Sequence, residues 1–377
     1  MKRYDTIVIG GGASGLVTSA TLKGNTLLIE SNDRVGKKIL ATGNGRCNLT
    51  NEKISGDFYS NPHFFNQVYS VNQSIVSDYF KSVGLLLKSD NSGRVYPYSM
   101  QASTVLDVLR GDVKCDVQVS QKVLTIQKAG DGYRVVTDSG EYLAKYVVVA
   151  TGGGKNSCLS QLLPLTDLSP ALCPIKTDTT YVKGLDGVRA QCGVTLFKNG
   201  QTVYEEVGEV LFRTYGVSGV SIFNASAYIA RDNVKKKTGN WTISLNFLKD
   251  TDTDEVKKII DTRIKRGVSR DKLLLGIVAN KIAECVLRRV DSISVPTIMD
   301  TLTNYTLSVK GLQGDIAQVT SGGVDLSSVG YDFQSKKHKG LFITGEALDM
   351  DGLCGGYNLH WAFMSGLVVS KNISYLL

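Results

Sequence analysis

The sequence predicts an α/β protein in which one domain is assembled from both ends of the chain and an α+β domain is inserted between them. Three observations predict it. The first thirty residues read as strand, glycine turn, helix and second strand. Two more all-apolar strand segments closed by glycine turns stand far apart, at 146–150 and 341–344. Between them, beyond the prolines at 164, 170 and 174, the pattern changes to short strands with glycine turns and then to helices. A chain of 377 residues ordinarily makes two domains. Its 42% hydrophobic and 21% charged residues suit a soluble globular protein with a large core.

Thr6 to Ile9 is a short apolar β run of the kind buried on both faces in a parallel sheet. Gly10-Gly11-Gly12-Ala13-Ser14-Gly15 follows, then a helical stretch from Leu16 to Lys23. A Gly24-Asn25 turn leads to the strand Thr26–Ile29, which ends at Glu30. This is βαβ with G-x-G-x-x-G at its first turn and an acid after its second strand. Gly10 permits the tight turn, Gly12 lets backbone approach a pyrophosphate, and Gly15 lets helix and strand pack closely. The helix start then offers free N–H groups, with Ala13 and Ser14, to the anion. Glu30 is placed to accept from ribose hydroxyls, and its charge disfavours a 2′-phosphate.

FAD and NAD share this fingerprint, so the rest of the chain must decide between them. The strand Tyr146–Ala150 closes at Thr151-Gly152-Gly153-Gly154, and Leu341–Thr344 closes at Gly345-Glu346. Gly355-Gly356-Tyr357-Asn358 then opens a helix expected to run through Ser370. A nicotinamide dehydrogenase completes its nucleotide-binding unit contiguously, whereas a split one is typical of flavoproteins. Only one G-x-G-x-x-G is present, so NADH or NADPH would bind transiently as reductant. In the insertion, segments around 193–197 and 209–212 read as strands, 254–290 as helices and 305–309 as strand. Within 273–290, apolar residues at 274, 277, 278, 282, 285, 286 and 290 recur at helical spacing.

Several classes are disfavoured. Cysteines 47, 115, 158, 173, 192, 285 and 354 include no C-x-x-C, and His63, His338 and His360 stand apart, so no metal site is expected. No apolar run approaches the ~20 residues of a membrane span. The first residues lead straight into a strand with no signal-peptide pattern, which points to the cytoplasm. The net charge is +8, and residues 231–289 carry 15 Lys and Arg against 8 Asp and Glu. A basic stretch attracts phosphates, yet no RNA-binding motif accompanies it, so nucleic acid is not the expected partner.

The segment Gly36-Lys37-Lys38-Ile39-Leu40-Ala41-Thr42-Gly43-Asn44-Gly45-Arg46-Cys47-Asn48-Leu49-Thr50-Asn51 resembles the signature of the BaiN-like, aminoacetone-oxidase-like NAD(P)/FAD-dependent flavoproteins. Further matches are Gly93–Pro97, Ala150–Gly153, Gly208–Phe212, Gly216–Gly219, Val319–Val324, Gly345–Gly352 and Gly355–Leu359, in the family's order along nearly the whole chain. The resemblance implies a Rossmann-like FAD-binding domain of the split GR2 type, here 1–178 and 318–377. The insertion, 179–317, would be a small β-barrel plus helices.

Carried over by position, Gly10, Gly12, Gly15 and Glu30 would hold the ADP half of FAD, with backbone near Val123 at the adenine. Glu346 would lie near the ribityl–pyrophosphate region, and Lys38, Thr151, Gly152 and Gly345 are further cofactor-binding candidates. Thr42, Gly43, Asn44, Gly45, Arg46, Cys47 and Asn48 would run beside the flavin, and the amides around Gly356, Asn358 and Leu359 would face its N1/O2 side. Leu353-Cys354 and His360 depart from the family, which often has Pro-Thr and Gln there. His360, Tyr357 and Cys47 are the candidates for catalysis; each also has a plain packing role open to it.

The activity so implied is that of an FAD-dependent oxidoreductase driven by NAD(P)H. Its expected reaction is reduction of an activated, enone-type C=C in a small apolar, steroid- or bile-acid-like molecule. A flavin-dependent amine oxidase, a tRNA-acting flavoprotein and a non-catalytic redox sensor are the alternatives.

Overall fold

The structure, a computed structural model, describes residues 1–155 and 158–377. It divides into two units, Met1–Leu168 with Thr320–Leu377, and Ser169–Val319.

In the first unit the strands Asp116–Gln118, Thr26–Ile29, Lys2–Ile9 and Glu141–Val149 lie side by side and parallel. The register sets Ile7 opposite Leu27 on one side and Val147 on the other. All three side chains are buried, as expected of strands covered on both faces. Leu341–Ile343, from the far end of the chain, pairs parallel with Val147–Val149. The first half of that same strand instead pairs antiparallel with Gly132–Thr137, which pairs with Val123–Ala129. Of this meander the sequence reading located only the strand around Val123 and the end of Glu141–Val149.

The helix Ala13–Thr21 follows the glycine turn and packs against the terminal helix Tyr357–Leu376. The contact is close because it runs through Gly366, where a Cβ would sit 2.6 Å from the Ser14 carbonyl. Thr18 Oγ1 donates to the Gly366 carbonyl at 3.1 Å. The terminal helix is six residues longer than expected and nearly all buried through Val369. A small antiparallel sheet of Thr50–Asn51, Arg94–Pro97 and Leu87–Ser89 completes this unit's strands.

The second unit is a closed antiparallel barrel plus helices. Its strands run in the order Ile175–Thr177, Gly216–Ser218, Gln201–Arg213, Arg189–Lys198, Trp241–Asn246 and Tyr305–Leu312 before closing on the first. Asn199 and Gly200 both take positive φ, 51° and 80°, which makes the tight turn that the long central hairpin needs. Val194, Leu196, Val210, Phe212, Ile243 and Leu307 fill the barrel side of one core.

Three expectations change here. The unit begins ten residues earlier than position 179, because Ile175–Thr177 is needed to close the barrel. The apolar repeat over 273–290 is core but not one helix. Leu274, Ile282, Cys285, Val286 and Val290 are all buried, yet Gly276 takes φ +76° and the helix spans only Asn280–Arg289. The positive charge is also less local than residues 231–289 suggest: Ser169–Val319 as a whole holds 21 Lys and Arg against 16 Asp and Glu.

Candidate functional site

The glycine turn behaves as its three glycines require. Gly10 takes φ +106°, and a Cβ there would meet the Ala150 carbonyl oxygen at 2.5 Å; one on Gly15 would meet the Gly10 carbonyl oxygen at 1.8 Å. Both positions are closed to any side chain. Gly12 is different, since a Cβ there meets nothing within 4 Å. It is the N-cap of the helix Ala13–Thr21, and no side chain caps that end. A helix N-terminus with uncapped N–H groups and open space before it is an anion site.

Glu30 closes the other side. It is buried, its Oε2 accepts from the Gly11 N–H at 2.7 Å, and its Oε1 accepts from the Asn32 N–H at 2.7 Å. The backbone of Glu30 also pairs with Gln118 and Gln121, so the turn leading to Val123 lies beside it. The carboxylate thus fixes the glycine turn while standing where a ribose is expected.

Glu346, expected near the ribityl–pyrophosphate region, comes together with the cofactor-binding candidates Lys38, Gly152 and Gly345 as a second group. Lys38 Nζ lies 3.7 Å from Glu346 Oε2, and Glu346 Oε1 accepts from the Thr320 N–H at 2.8 Å. A Cβ on Gly152 would lie 3.7 Å from Lys38 Nζ and 3.8 Å from Glu346 Oε2. A Cβ on Gly345 would touch Ser14 Oγ at 2.9 Å, which brings this group to the first helix.

The third group joins the loop Thr42–Asn51 to the start of the terminal helix. Asn44 and Cys47 both take positive φ, 54° and 56°, unusual for residues with side chains. Asn48, with its amide oxygen toward the helix, accepts from the Gly356 N–H at 2.9 Å and donates to the Thr50 and Val95 carbonyls. Asn51 Nδ2 donates to the Gly355 carbonyl at 2.9 Å. Tyr59 Oη donates to the Tyr357 carbonyl at 3.0 Å. Asn358 turns its amide back onto Gly352 and Leu353. Its side chain is therefore engaged, while the helix start, capped by no side chain, keeps its backbone amides. Arg46 lies over the Tyr96 ring, 5.4 Å from its centroid.

The three catalytic candidates differ sharply in setting. Cys47 is fully buried, and burial pushes its thiol up to about 11, so it is not a thiolate at neutral pH. His360 is 3% exposed; its Nδ1 meets Thr50 Oγ1 at 2.7 Å and its Nε2 has no hydrogen-bond partner. Phe65 and Tyr69 flank the ring, and burial lowers its pKa to about 4, so it stays neutral and sealed. Tyr357 has a buried ring stacked on Phe58 at 4.3 Å. Its hydroxyl takes no hydrogen bond among the described residues and is not among the sealed polar atoms. Burial raises its pKa, and Arg94 lowers it in part. Sequence reasoning missed Thr50, Asn51, Phe58, Tyr59 and Arg94 as site residues; Thr50, Asn51 and Arg94 at least lie in the matched motifs.

The residues present fit FAD: a glycine turn opening on free space, a buried acid at the strand end, and glycine cradles leading from Gly152 to Gly356. The HI0933-like protein Rossmann domain matches residues 4–160 and 235–372. The chain belongs to the HI0933-like family. It is an FAD-dependent oxidoreductase. The 3-dehydro-bile acid delta(4,6)-reductase of Clostridium scindens is 29% identical over 97% of both chains. The ribosomal RNA dihydrouridine synthase of Escherichia coli is 27% identical over 99% of this chain and 98% of that protein. Among solved structures, 3-ketosteroid delta1-dehydrogenase from Sterolibacterium denitrificans aligns over the full length of both chains, with a TM-score of 0.48 and 12% identity. Among the described residues no helix is long and apolar enough to cross a membrane.

Proposed function

We propose that this member of the HI0933-like family is an NAD(P)H-driven reductase of a carbon–carbon double bond conjugated to a carbonyl, in a small apolar substrate of steroid or bile-acid type. The observation that carries this reading is Tyr357: a phenol with a buried ring whose hydroxyl takes no hydrogen bond among the described residues, at the start of the helix that the family motif lines. FAD, when bound, supplies hydride. The chain then has to position the substrate, exclude water and deliver one proton, and a neutral phenol held at a fixed place suits the last task.

Two similar proteins support the reaction class. A 3-dehydro-Δ4,6 reductase and a dihydrouridine synthase both saturate a double bond conjugated to a carbonyl, although their substrates differ. The small-molecule reading is preferred because several arginines of the exposed basic stretch 231–289 are spent on structure within their own unit. Arg263, Arg270, Arg288 and Arg289 all donate to backbone carbonyls, and Arg289 also lies over the rings of Tyr181 and Tyr305. Lys257 and Lys265 pair with Asp254 and Asp261.

The test is an anaerobic flavin-bleaching assay with NADH and with NADPH. Reoxidation of the reduced enzyme is then followed with cyclic enones, a uridine-containing RNA, an amine-oxidase substrate set and O₂. Reoxidation by an enone faster than by O₂ or RNA is the expected result. No bleaching by either nicotinamide, or reoxidation by O₂ alone, would overturn the reductase reading.

A further inference from the structure

Gly355 and Gly356 lead into the terminal helix, and both take positive φ, 139° and 95°. Two glycines in succession leave the direction of the helix loosely set by the backbone alone. Side chains from one short stretch set it instead. Asn51 Nδ2 donates to the Gly355 carbonyl at 2.9 Å, and Asn48 accepts from the Gly356 N–H at 2.9 Å. Both contacts lie at the glycines themselves. Thr50, which stands between the two asparagines, reaches past them: its Oγ1 meets His360 Nδ1 at 2.7 Å, inside the helix.

The two partners of that bond are fixed in other ways as well. Thr50 is paired in register with Val95, and its carbonyl accepts from Asn48 Nδ2 at 2.9 Å. The same carbonyl lies against the helix start, where a Cβ on Gly356 would meet it at 2.4 Å. His360 closes the first helical turn, its N–H donating to the Gly356 carbonyl at 2.9 Å. Its ring is buried beside Phe65 and Tyr69. Thr50 thus holds the first turn at both ends, by its carbonyl at Gly356 and by its hydroxyl at His360.

We infer that Thr50 and His360 are positioning residues for the flavin: their bond fixes the direction of the helix start, and so where its backbone amides point. This rests on the placement of FAD in the site described above. Amides at a helix start carry partial positive charge, which favours the reduced, anionic flavin over the oxidised one. The effect falls off within the first turn, so a small change in helix direction weakens it. Neither side chain touches the flavin or moves a proton in this role. A buried imidazole suits it, because burial keeps the ring neutral and its bonding unchanged across the ordinary pH range.

The experiment uses the full-length protein and has two arms. In the first, the histidines are labelled with ¹⁵N; the chain has only three, so the resonances lost in His360→Gln assign His360. Thr50→Val, close in shape but without the hydroxyl, should shift the His360 Nδ1 resonance, and an unmoved resonance overturns the inference. In the second arm, the potential of the bound flavin is measured by equilibration with reference dyes, which needs neither nicotinamide nor substrate. Thr50→Val and His360→Leu should each lower the preference for reduced over oxidised FAD about tenfold, a potential about 30 mV lower. Thr50→Ser and His360→Gln, which keep a hydrogen-bonding group in place, should restore most of it. The double variant Thr50→Val with His360→Leu should be no lower than either single one, because both act through one bond. Ile243→Val, a core change in the barrel, should cost stability and leave the potential alone. Potentials equal to wild type in Thr50→Val and His360→Leu overturn the inference, even where the His360 resonance moves, and so does a double variant that sums the two. Failure of the reductase reading shows separately, as a flavin that neither NADH nor NADPH bleaches but whose dye-measured potential still responds to these variants.

Discussion

Single residues in the glycine turn separate folding from cofactor binding. Gly12→Ala adds a methyl where nothing stands within 4 Å and φ is −84°, so the fold should tolerate it. The methyl nevertheless occupies the space before the helix start. FAD affinity should therefore fall about tenfold, or about 1.4 kcal/mol, with little change in the unfolding midpoint of the apoprotein. Gly15→Ala drives a methyl into the Gly10 carbonyl and should give little folded protein. Isothermal titration with FAD and thermal unfolding of both variants distinguish these outcomes; equal behaviour of the two would refute the division of roles. His360 gives a pH prediction. Its folded-state pKa of about 4 lies below the ordinary 6.5, so between those values the unfolded chain binds a proton that the folded chain does not. The stability it permits is present above pH 6.5 and is lost as pH falls toward 4. Urea unfolding at pH 7 and pH 4.5 should show that H360Q loses about 2–3 kcal/mol less than wild type over that interval.

At the scale of elements, regular hydrophobic pattern was legible and irregular geometry was not. The βαβ unit, the return strand 341–343 and the terminal helix announce themselves because buried parallel strands are uninterrupted apolar runs bounded by glycine. The segment 273–290 deceived because a turn followed by a helix can bury the same apolar residues that one long helix would. Gly276 was the visible clue. The arginines after it also read differently in sequence and in structure. Composition marked the stretch as basic without a nucleic-acid motif, and in the structure Arg270 donates to the carbonyls of Leu287 and Val290 at the end of the helix Asn280–Arg289. The Leu287 carbonyl also accepts from the N–H of the helix-capping residue Val290, and carbonyls at a helix end have acceptor capacity to spare. Arg270→Ala should therefore destabilise the protein by about 1–3 kcal/mol in a denaturant titration. Lys258→Ala, on an exposed face, should change it by about 0.5 kcal/mol or less. A reversed order would count against the capping role. The site residues that sequence reasoning missed, Arg94 and Tyr59 among them, reach the site through a small sheet and a turn that no periodicity marks.

The whole molecule carries two cores, and they should answer differently to cofactor. Ser169–Val319 is one unbroken segment with its own barrel and a buried cluster drawn wholly from its own residues. Expressed alone, it should unfold cooperatively at a midpoint indifferent to FAD. The full chain should show a second transition that FAD raises by mass action, readable by scanning calorimetry. A single transition that shifts as one with FAD, or an unfolded isolated segment, would contradict this.

The strand Glu141–Val149 has a further consequence, for the ribosome. Half of its outer edge pairs with the neighbour that directly precedes it in the meander, but Val147–Val149 wait for Leu341–Ile343. At about 5–20 residues per second of translation, that buried apolar edge stays open for roughly ten to forty seconds while the barrel is made. An unpaired strand edge in a nascent chain is a nucleus for misassembly. On the proposed site, which includes Glu346 and the start of the helix after it, cofactor loading becomes one of the last events of biosynthesis.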